Sequence, residues 1–367
     1  MTTNKAYIII EDGTILEGIS FGATGTSFGE LVFNTSMVGY TEILTDPSYA
    51  HQIITMTYSE IGNYGVNFDD VESQKIYAKG LIVKNLCEHE SHYKSQKNLK
   101  DFLIENNIIG ISNVDTRFIT KKLANEGSKM CAITTENHNF DEILDKVKHY
   151  KFPKDVVSEV SRKNIIKYTK EDDSKPLKLG VLDFGVKNNI INEILNRNIN
   201  LTIMPYNTSF EEILSNNFDA LLLSNGPGDP KDCTSIIENV KQIIGKIPIF
   251  GICLGYQILA LALNAKTDKL KFGHRGGNHP VIDLKSGKVF MTSQNHGYKV
   301  IDENLPDDIE VTHRNLNDNT IEGFKSERYN IKALQFHPEA SPGPMDASVI
   351  FDEWINDIVC KKEKING

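Results

Sequence analysis

Cysteine is scarce. The 367 residues hold five, at Cys87, Cys131, Cys233, Cys253 and Cys360, with no Cys-x-x-Cys among them. An odd, scattered set excludes a disulfide framework and does not have zinc spacing. It fits a reducing compartment. Any apolar run long enough to cross a bilayer is also lacking. The opening MTTNKAYIIIEDGT has no basic n-region, no long apolar stretch and no small-residue cleavage site, so no secretory signal is read there. The expected location is cytoplasmic. A basic excess is missing too. The net charge of −9 argues against a nucleic-acid partner and otherwise reads as solubility. Finally, there is no G-x-x-x-x-G-K-[ST] loop. Neither Gly245-Lys246 nor Gly287-Lys288 has a glycine five positions earlier, so phosphoryl chemistry is not expected on this chain.

What is present divides into three regions. Residues 1–150 open with an apolar stretch at Ala6–Ile10, a turn at Asp12-Gly13 and a second short run. LVFNTS, HQIITMTY and YAKGLIV are short, apolar and bounded by turn residues, which predicts strands. Helical patterns follow at Leu99–Asn106, Arg117–Glu126 and Asp141–His149. The reading is an α+β domain, β-rich at its start. Residues 151–176 are charged and aperiodic, and KYTKEDDSKP marks them as a solvated linker. In residues 177–360 the texture changes. KLGVLDF, NLTIMPY, DALLLSNG and IPIFGI alternate with helical segments at Lys187–Asn196, Phe210–Asn216, Thr234–Ile244 and Leu254–Leu263. That alternation predicts an α/β domain, a mostly parallel sheet with helices on both faces. Ligands in such sheets bind at the carboxyl ends of the strands.

One cysteine stands at such an end. In IPIFGICLGYQ an apolar strand runs into Gly251-x-Cys253-x-Gly255 and then a helix. This is the cysteine form of the nucleophile elbow. A Cβ at either flank would collide with neighbouring backbone. The helix N-terminus favours thiolate over thiol, and the Leu254 N–H points where an oxyanion would form. A base is available in IKALQFHPE, where His337 ends another strand. Glu339 lies two residues on, with Pro338 fixing the backbone between them. Together they make a Cys-His-Glu triad. A third strand ends in Gly226-Pro227-Gly228-Asp229-Pro230, and the Gly228 N–H is a candidate second oxyanion donor.

Elbow, His-Pro-Glu and NGPGDP, in this order on an alternating α/β region, resemble the class I glutamine amidotransferases, whose domain is flavodoxin-like. KFGHRGGNHPV (271–281), TSQNHGY (292–298) and FHPEASPGPMDA (336–347) are similar to the glutaminase, or small, subunits of carbamoyl-phosphate synthetases. The block GELVFNTSMVGYTEILTDPSYAHQIITMTYSEIGNYG (29–65) resembles the N-terminal domain that other class I amidotransferases lack. The resemblance therefore spans nearly the whole chain.

It implies catalysis by Cys253, His337 and Glu339. It implies glutamine contacts at Ser48, Gly226, Gly228, Leu254, Gln257, Asn295, Gly297 and Tyr298. Two positions depart from the commonest pattern: Tyr256 stands where His is frequent and Tyr298 where Phe is frequent. Activity is expected to survive both. The implied chemistry is a γ-glutamyl thioester on Cys253 and release of ammonia. The implied partner is a large synthetase subunit that uses ATP, a divalent metal and bicarbonate, feeding pyrimidine and arginine synthesis. No cofactor is expected on this chain.

Two histidine-rich stretches are set aside as metal sites. His274, His279 and His296 lack helix-face ligand spacing and sit in Gly-rich loops. Cys87-x-His89-x-x-His92 has no second cluster. Two rival readings remain: a regulatory subunit on a degenerate glutaminase fold, against which the intact triad speaks, and another class I amidotransferase or thiol hydrolase, against which the 29–65 block speaks.

Overall fold

Strand side chains alternate between two faces, and the first strand shows what that does here. In Lys5–Ile10, Ile8 and Ile10 join one apolar cluster with Leu31, Ile53 and Ile133. Ile9 joins another with Ile143 and Val147 of the helix Phe140–His149. The computed structural model describes residues 5–136, 139–169, 176–303 and 305–366. The chain divides into two units, Met1–Pro153 with Lys271–Gly276, and Lys154–Leu270 with Gly277–Gly367. No helix among the described residues is long and apolar enough to cross a membrane.

The first unit is built on a closed barrel. Its strands run in the order Lys5–Ile10, Ile15–Ser20, Ile109–Ser112, Gly80–Ile82, Gln52–Met56, Thr26–Asn34 and Lys129–Thr134, and the last pairs back onto the first. The three predicted helices form as Leu99–Glu105, Thr116–Glu126 and Phe140–His149. Each starts where a side chain takes up a free backbone N–H: Asn98 from Asp101, Asp115 from Phe118 and Asn139 from Asp141. Lys271–Gly276, which the sequence reading placed in its third region, packs with this unit. Lys271 O accepts from Ser128 N, Arg275 O accepts from Thr35 N, and Phe272 stacks on Phe33.

The second unit contains a ten-stranded sheet. Its parallel core has Ile199–Pro205, Leu177–Asp183, Ala220–Leu223, Ile249–Ile252 and Ile331–Leu334 side by side. Numbered along the chain, these stand in the doubly wound, flavodoxin-like order 2-1-3-4-5. Antiparallel strands extend it on the far side: Ile321–Ser326, Glu310–Asn315 and then Thr267–Asp283 and Val289–Val300. Alternation again sorts the core. Leu221 and Leu223 face the helices Thr234–Ile243 and Leu254–Ala262, while Ala220 and Leu222 face Asn188–Leu195 and Val349–Asn366.

The stretch read as linker is partly built into this unit. Val156–Val160 is a helix with three buried valines, and Ile166–Tyr168 adds to the sheet edge, antiparallel to Ile199–Pro205. Composition missed this because the charges lie on exposed positions between the anchoring residues. Residues 170–175 of that stretch, and residues 1–4 of the opening segment, lie outside the described residues.

Candidate active site

The carboxyl ends of four neighbouring parallel strands carry the site. The strand Ile249–Ile252 ends in Cys253, whose φ of 53° and ψ of −103° break the strand sharply before the helix Leu254–Ala262. This backbone is uncommon for a residue with a side chain. It is held by Cys253 N donating to Leu334 O (2.8 Å) and by Gly255 N donating to Ser224 O (3.0 Å). The flanking glycines are required by contact. A Cβ on Gly255 would lie 2.1 Å from Leu223 O, and one on Gly251 would lie 2.9 Å from the Gly255 carbonyl.

His337 follows the strand Ile331–Leu334, and its N–H donates to Ser293 O at 2.9 Å. The imidazole is 2% exposed and Glu339 is fully buried. His337 Nδ1 lies 2.6 Å from Glu339 Oε1. Burial disfavours charge on the ring, but the Glu339 carboxylate and the nearby Cys253 thiol outweigh it and hold the imidazole well above its ordinary pKa. The other ring nitrogen, Nε2, makes no hydrogen bond among the described residues. Cys253 Sγ is 3.6 Å from Asn295 O.

Glu339 is answered by a residue that the sequence reading did not single out. Lys187 Nζ donates to Glu339 Oε1 at 3.0 Å and to Ala340 O at 2.6 Å, and Lys187 is 2% exposed. Burial would push the Glu339 carboxyl up, yet Lys187 first and then His337 hold it well below its usual range. Asn189 Nδ2 adds a bond to Glu339 O at 2.5 Å. The result is a buried row of alternating charge, ammonium, carboxylate and imidazole, ending beside a thiol.

Residues 180–356 match the family model described as glutamine amidotransferase class-I. Residues 8–133 match that of the carbamoyl-phosphate synthase small chain, CPSase domain. The carbamoyl phosphate synthase small chain of Clostridium acetobutylicum is 49% identical, over 96% of this chain and 99% of its own. The chain belongs to the carbamoyl-phosphate synthase small-chain family. The small chain of Clostridium perfringens is 46% identical, over 96% of this chain and 99% of its own. The pyrimidine-specific small chain of Bacillus subtilis is 45% identical, over 96% of each.

The remaining predicted residues take the following places in this small-chain fold. Gly226 follows the strand Ala220–Leu223, and a Cβ there would lie 2.3 Å from Phe184 O. Gly228 has a φ of +97°, which favours glycine. Leu254 is the first residue of its helix, where N–H groups have no intrahelical acceptor. Gln257 is 3% exposed, and its Nε2 donates to Tyr298 O (3.0 Å) and Gln335 Oε1 (2.9 Å). Its amide is thus tied to the strand Val289–Val300, which carries Asn295, Gly297 and Tyr298. On that strand His296 has Nδ1 2.8 Å from Tyr298 O and Nε2 2.6 Å from Gln294 Oε1. Tyr256 is fully buried, packs against Phe324 and donates to Ile321 O at 3.0 Å. Ser48 belongs to the first unit. It is buried on the turn Pro47–Tyr49, and its N–H donates to Asp46 Oδ1 at 2.8 Å.

Lys187 had a signal in the sequence. DFGVK ends the first strand of an alternating α/β region, and loops at such ends are where ligands and site residues collect.

Proposed function

We propose that this chain is the glutamine-hydrolysing subunit of a carbamoyl-phosphate synthase, with Cys253 as nucleophile. The observation that carries the reading is the strained elbow at Cys253 beside a buried His337–Glu339–Lys187 array. Glutamine binds with its side-chain amide over Cys253. His337 takes the thiol proton, or the pair already rests as thiolate and imidazolium, and sulfur attacks the amide carbon. The oxyanion is met by the N–H groups of Leu254 and Gly228. His337 returns the proton to the leaving nitrogen, ammonia departs and a γ-glutamyl thioester remains. Water, activated by the same imidazole, releases glutamate. Gly226, Gln257, Asn295, Gly297 and Tyr298 shape the glutamine pocket in this reading. Asn295 offers an amide to the substrate's α-amino and α-carboxylate ends.

Ammonia is mostly protonated at neutral pH and then no longer nucleophilic, so it is handed directly to a partner. That partner is a large synthetase subunit, which binds ATP and a divalent metal and condenses ammonia with bicarbonate. Neither group is assigned a site on this chain. The reaction is placed in the cytoplasm, in line with five free cysteines.

The test is glutamate release from glutamine by the full chain, with and without its co-purified large partner. Release that vanishes in Cys253→Ala supports the reading. Equal release by wild type and Cys253→Ala overturns it.

A further inference from the structure

The turn that carries Lys187 is held from outside the triad. Asp183 ends the strand Leu177–Asp183 and is 1% exposed. Its Oδ1 accepts from Gly185 N (2.8 Å) and Val186 N (2.7 Å), so the carboxylate closes the turn directly before Lys187. Its Oδ2 accepts from Arg162 N at 2.8 Å, and the Arg162 guanidinium lies 3.5 Å from the same oxygen. Lys187 N in turn donates to Asn225 Oδ1 at 3.2 Å. Polar contacts therefore run from Arg162 to Asp183 and its turn, the backbone of 184–186 leads on to Lys187, and polar contacts resume from Lys187 to Glu339 and His337.

Arg162 is anchored too. The segment before it buries Val156, Val157 and Val160, and Ser161 Oγ accepts from Tyr206 N at 3.1 Å. The same segment borders the Gly226–Gly228 loop: Val156 Cβ is the nearest atom to the side of Gly228 that a Cβ would occupy, at 4.0 Å. One short stretch thus abuts both the turn that carries Lys187 and the loop that carries a proposed oxyanion donor.

We infer that Asp183, clamped by Arg162, is a positioning residue for the active site: it fixes the turn 184–186 so that Lys187 reaches Glu339. The inference rests on the glutaminase reading. Asp183 touches neither Cys253 nor His337 in this scheme and acts only through Lys187. That dependence makes it testable by a double-mutant cycle.

The variant is Asp183→Asn. It keeps an acceptor for Gly185 and Val186 but turns an amide N–H₂ toward the Arg162 donors. Two readouts are taken on the full chain: kcat/KM for glutamate release, and the pH profile of Cys253 alkylation by iodoacetamide, followed by peptide mass spectrometry. In the wild-type background Asp183→Asn lowers kcat/KM about tenfold, and in a Lys187→Met background it lowers it less than about twofold. The alkylation profile shifts in the direction that Lys187→Met shifts it, and the double variant shifts no further. Equal losses in the two backgrounds, or an unmoved profile, overturn the inference, since an aspartate of purely structural use would lower stability and leave the thiol's pH profile in place. If Asp183→Asn does not fold, Arg162→Ala replaces it. It is then expected to lower kcat/KM about threefold, again without additivity to Lys187→Met; additivity overturns the inference. No glutamate release from wild type would defeat the glutaminase reading instead, and the alkylation arm would still decide the role of Asp183.

Discussion

Lys187 and Glu339 form an ion pair at 3.0 Å with side chains only 2% and 0% exposed. Removing one partner of such a pair strands the other charge in a poorly solvated site, which costs about 3–5 kcal/mol. Lys187→Met is expected to destabilise the second unit by that amount at pH 7. Urea unfolding followed by Trp354 fluorescence measures it, because the chain's one tryptophan stacks on Phe250 in the core of that unit. The pH dependence has a sign. The Glu339 carboxyl is held below its ordinary value of 4.5. Its ionisation therefore contributes stability that is fully present above that value and lost as pH falls through the lower folded value. Lys187→Met takes away the largest of the charges that lower it, so the variant has a shallower acid loss than wild type.

His337 is raised above its ordinary value of 6.5. The stability from its charge is fully present below that value and disappears as pH rises through the higher folded one. Glu339→Gln removes the strongest attraction and leaves burial, which favours the neutral ring. In that variant the imidazole is expected to titrate below its ordinary value rather than above it, read from the His337 Cε1–H NMR shift. Glutamate release should fall at least about 10²-fold, the lower end of what acid–base catalysis supplies. A His337 that titrates alike in both proteins would contradict the electrostatic account.

The site was legible in the sequence where chemistry needs a local pattern. Gly251-x-Cys253-x-Gly255 announces an elbow because a Cβ at either glycine would lie 2.9 Å or 2.1 Å from neighbouring backbone, and His337 and Glu339 are two residues apart. Lys187 is hard to single out from sequence, since its partner is 152 positions away and a lysine opening a helix pattern looks like a solvated one. The α/β alternation gave the parallel core, whose buried strands read as apolar runs. The barrel of the first unit was not foreseen beyond its β-rich texture. Closure depends on Lys5–Ile10 pairing with Lys129–Thr134, a contact that no local period encodes. The charges of residues 151–176 predict a linker, while three valines and Arg162 do the anchoring.

The elbow glycines make a second mechanical prediction. Gly255→Ala would put a methyl group 2.1 Å from the Leu223 carbonyl oxygen, a backbone atom in the neighbouring strand. Neither the helix start nor the strand can retreat without moving Cys253. The expected cost is about 3 kcal/mol, at the upper end for overpacking, together with loss of glutamate release. Gly287→Ala serves as control. Unlike the helical Gly255 it has positive φ (+73°), and it meets nothing within 4 Å, so it should lose stability through backbone strain alone and keep its activity.

Tyr256 and Gln257 are adjacent on the helix after the nucleophile but do different things. The Tyr256 hydroxyl donates to Ile321 O, on the side of the helix that packs against Phe324. Tyr256→Phe removes one buried hydrogen bond and is expected to cost about 1 kcal/mol of stability, with kcat/KM unchanged within about twofold. Gln257 instead ties the helix to Tyr298 O and to Gln335. Gln257→Ala releases the strand that carries Asn295, Gly297 and Tyr298 while leaving the Cys253 elbow and the His337–Glu339 pair intact. Its effect should fall on binding: KM for glutamine up about tenfold and kcat within about threefold, the pattern of lost uniform binding. Steady-state kinetics on both variants separate the two roles. A Gln257→Ala enzyme that loses kcat and keeps KM would place this amide with the reacting atoms rather than with the pocket wall.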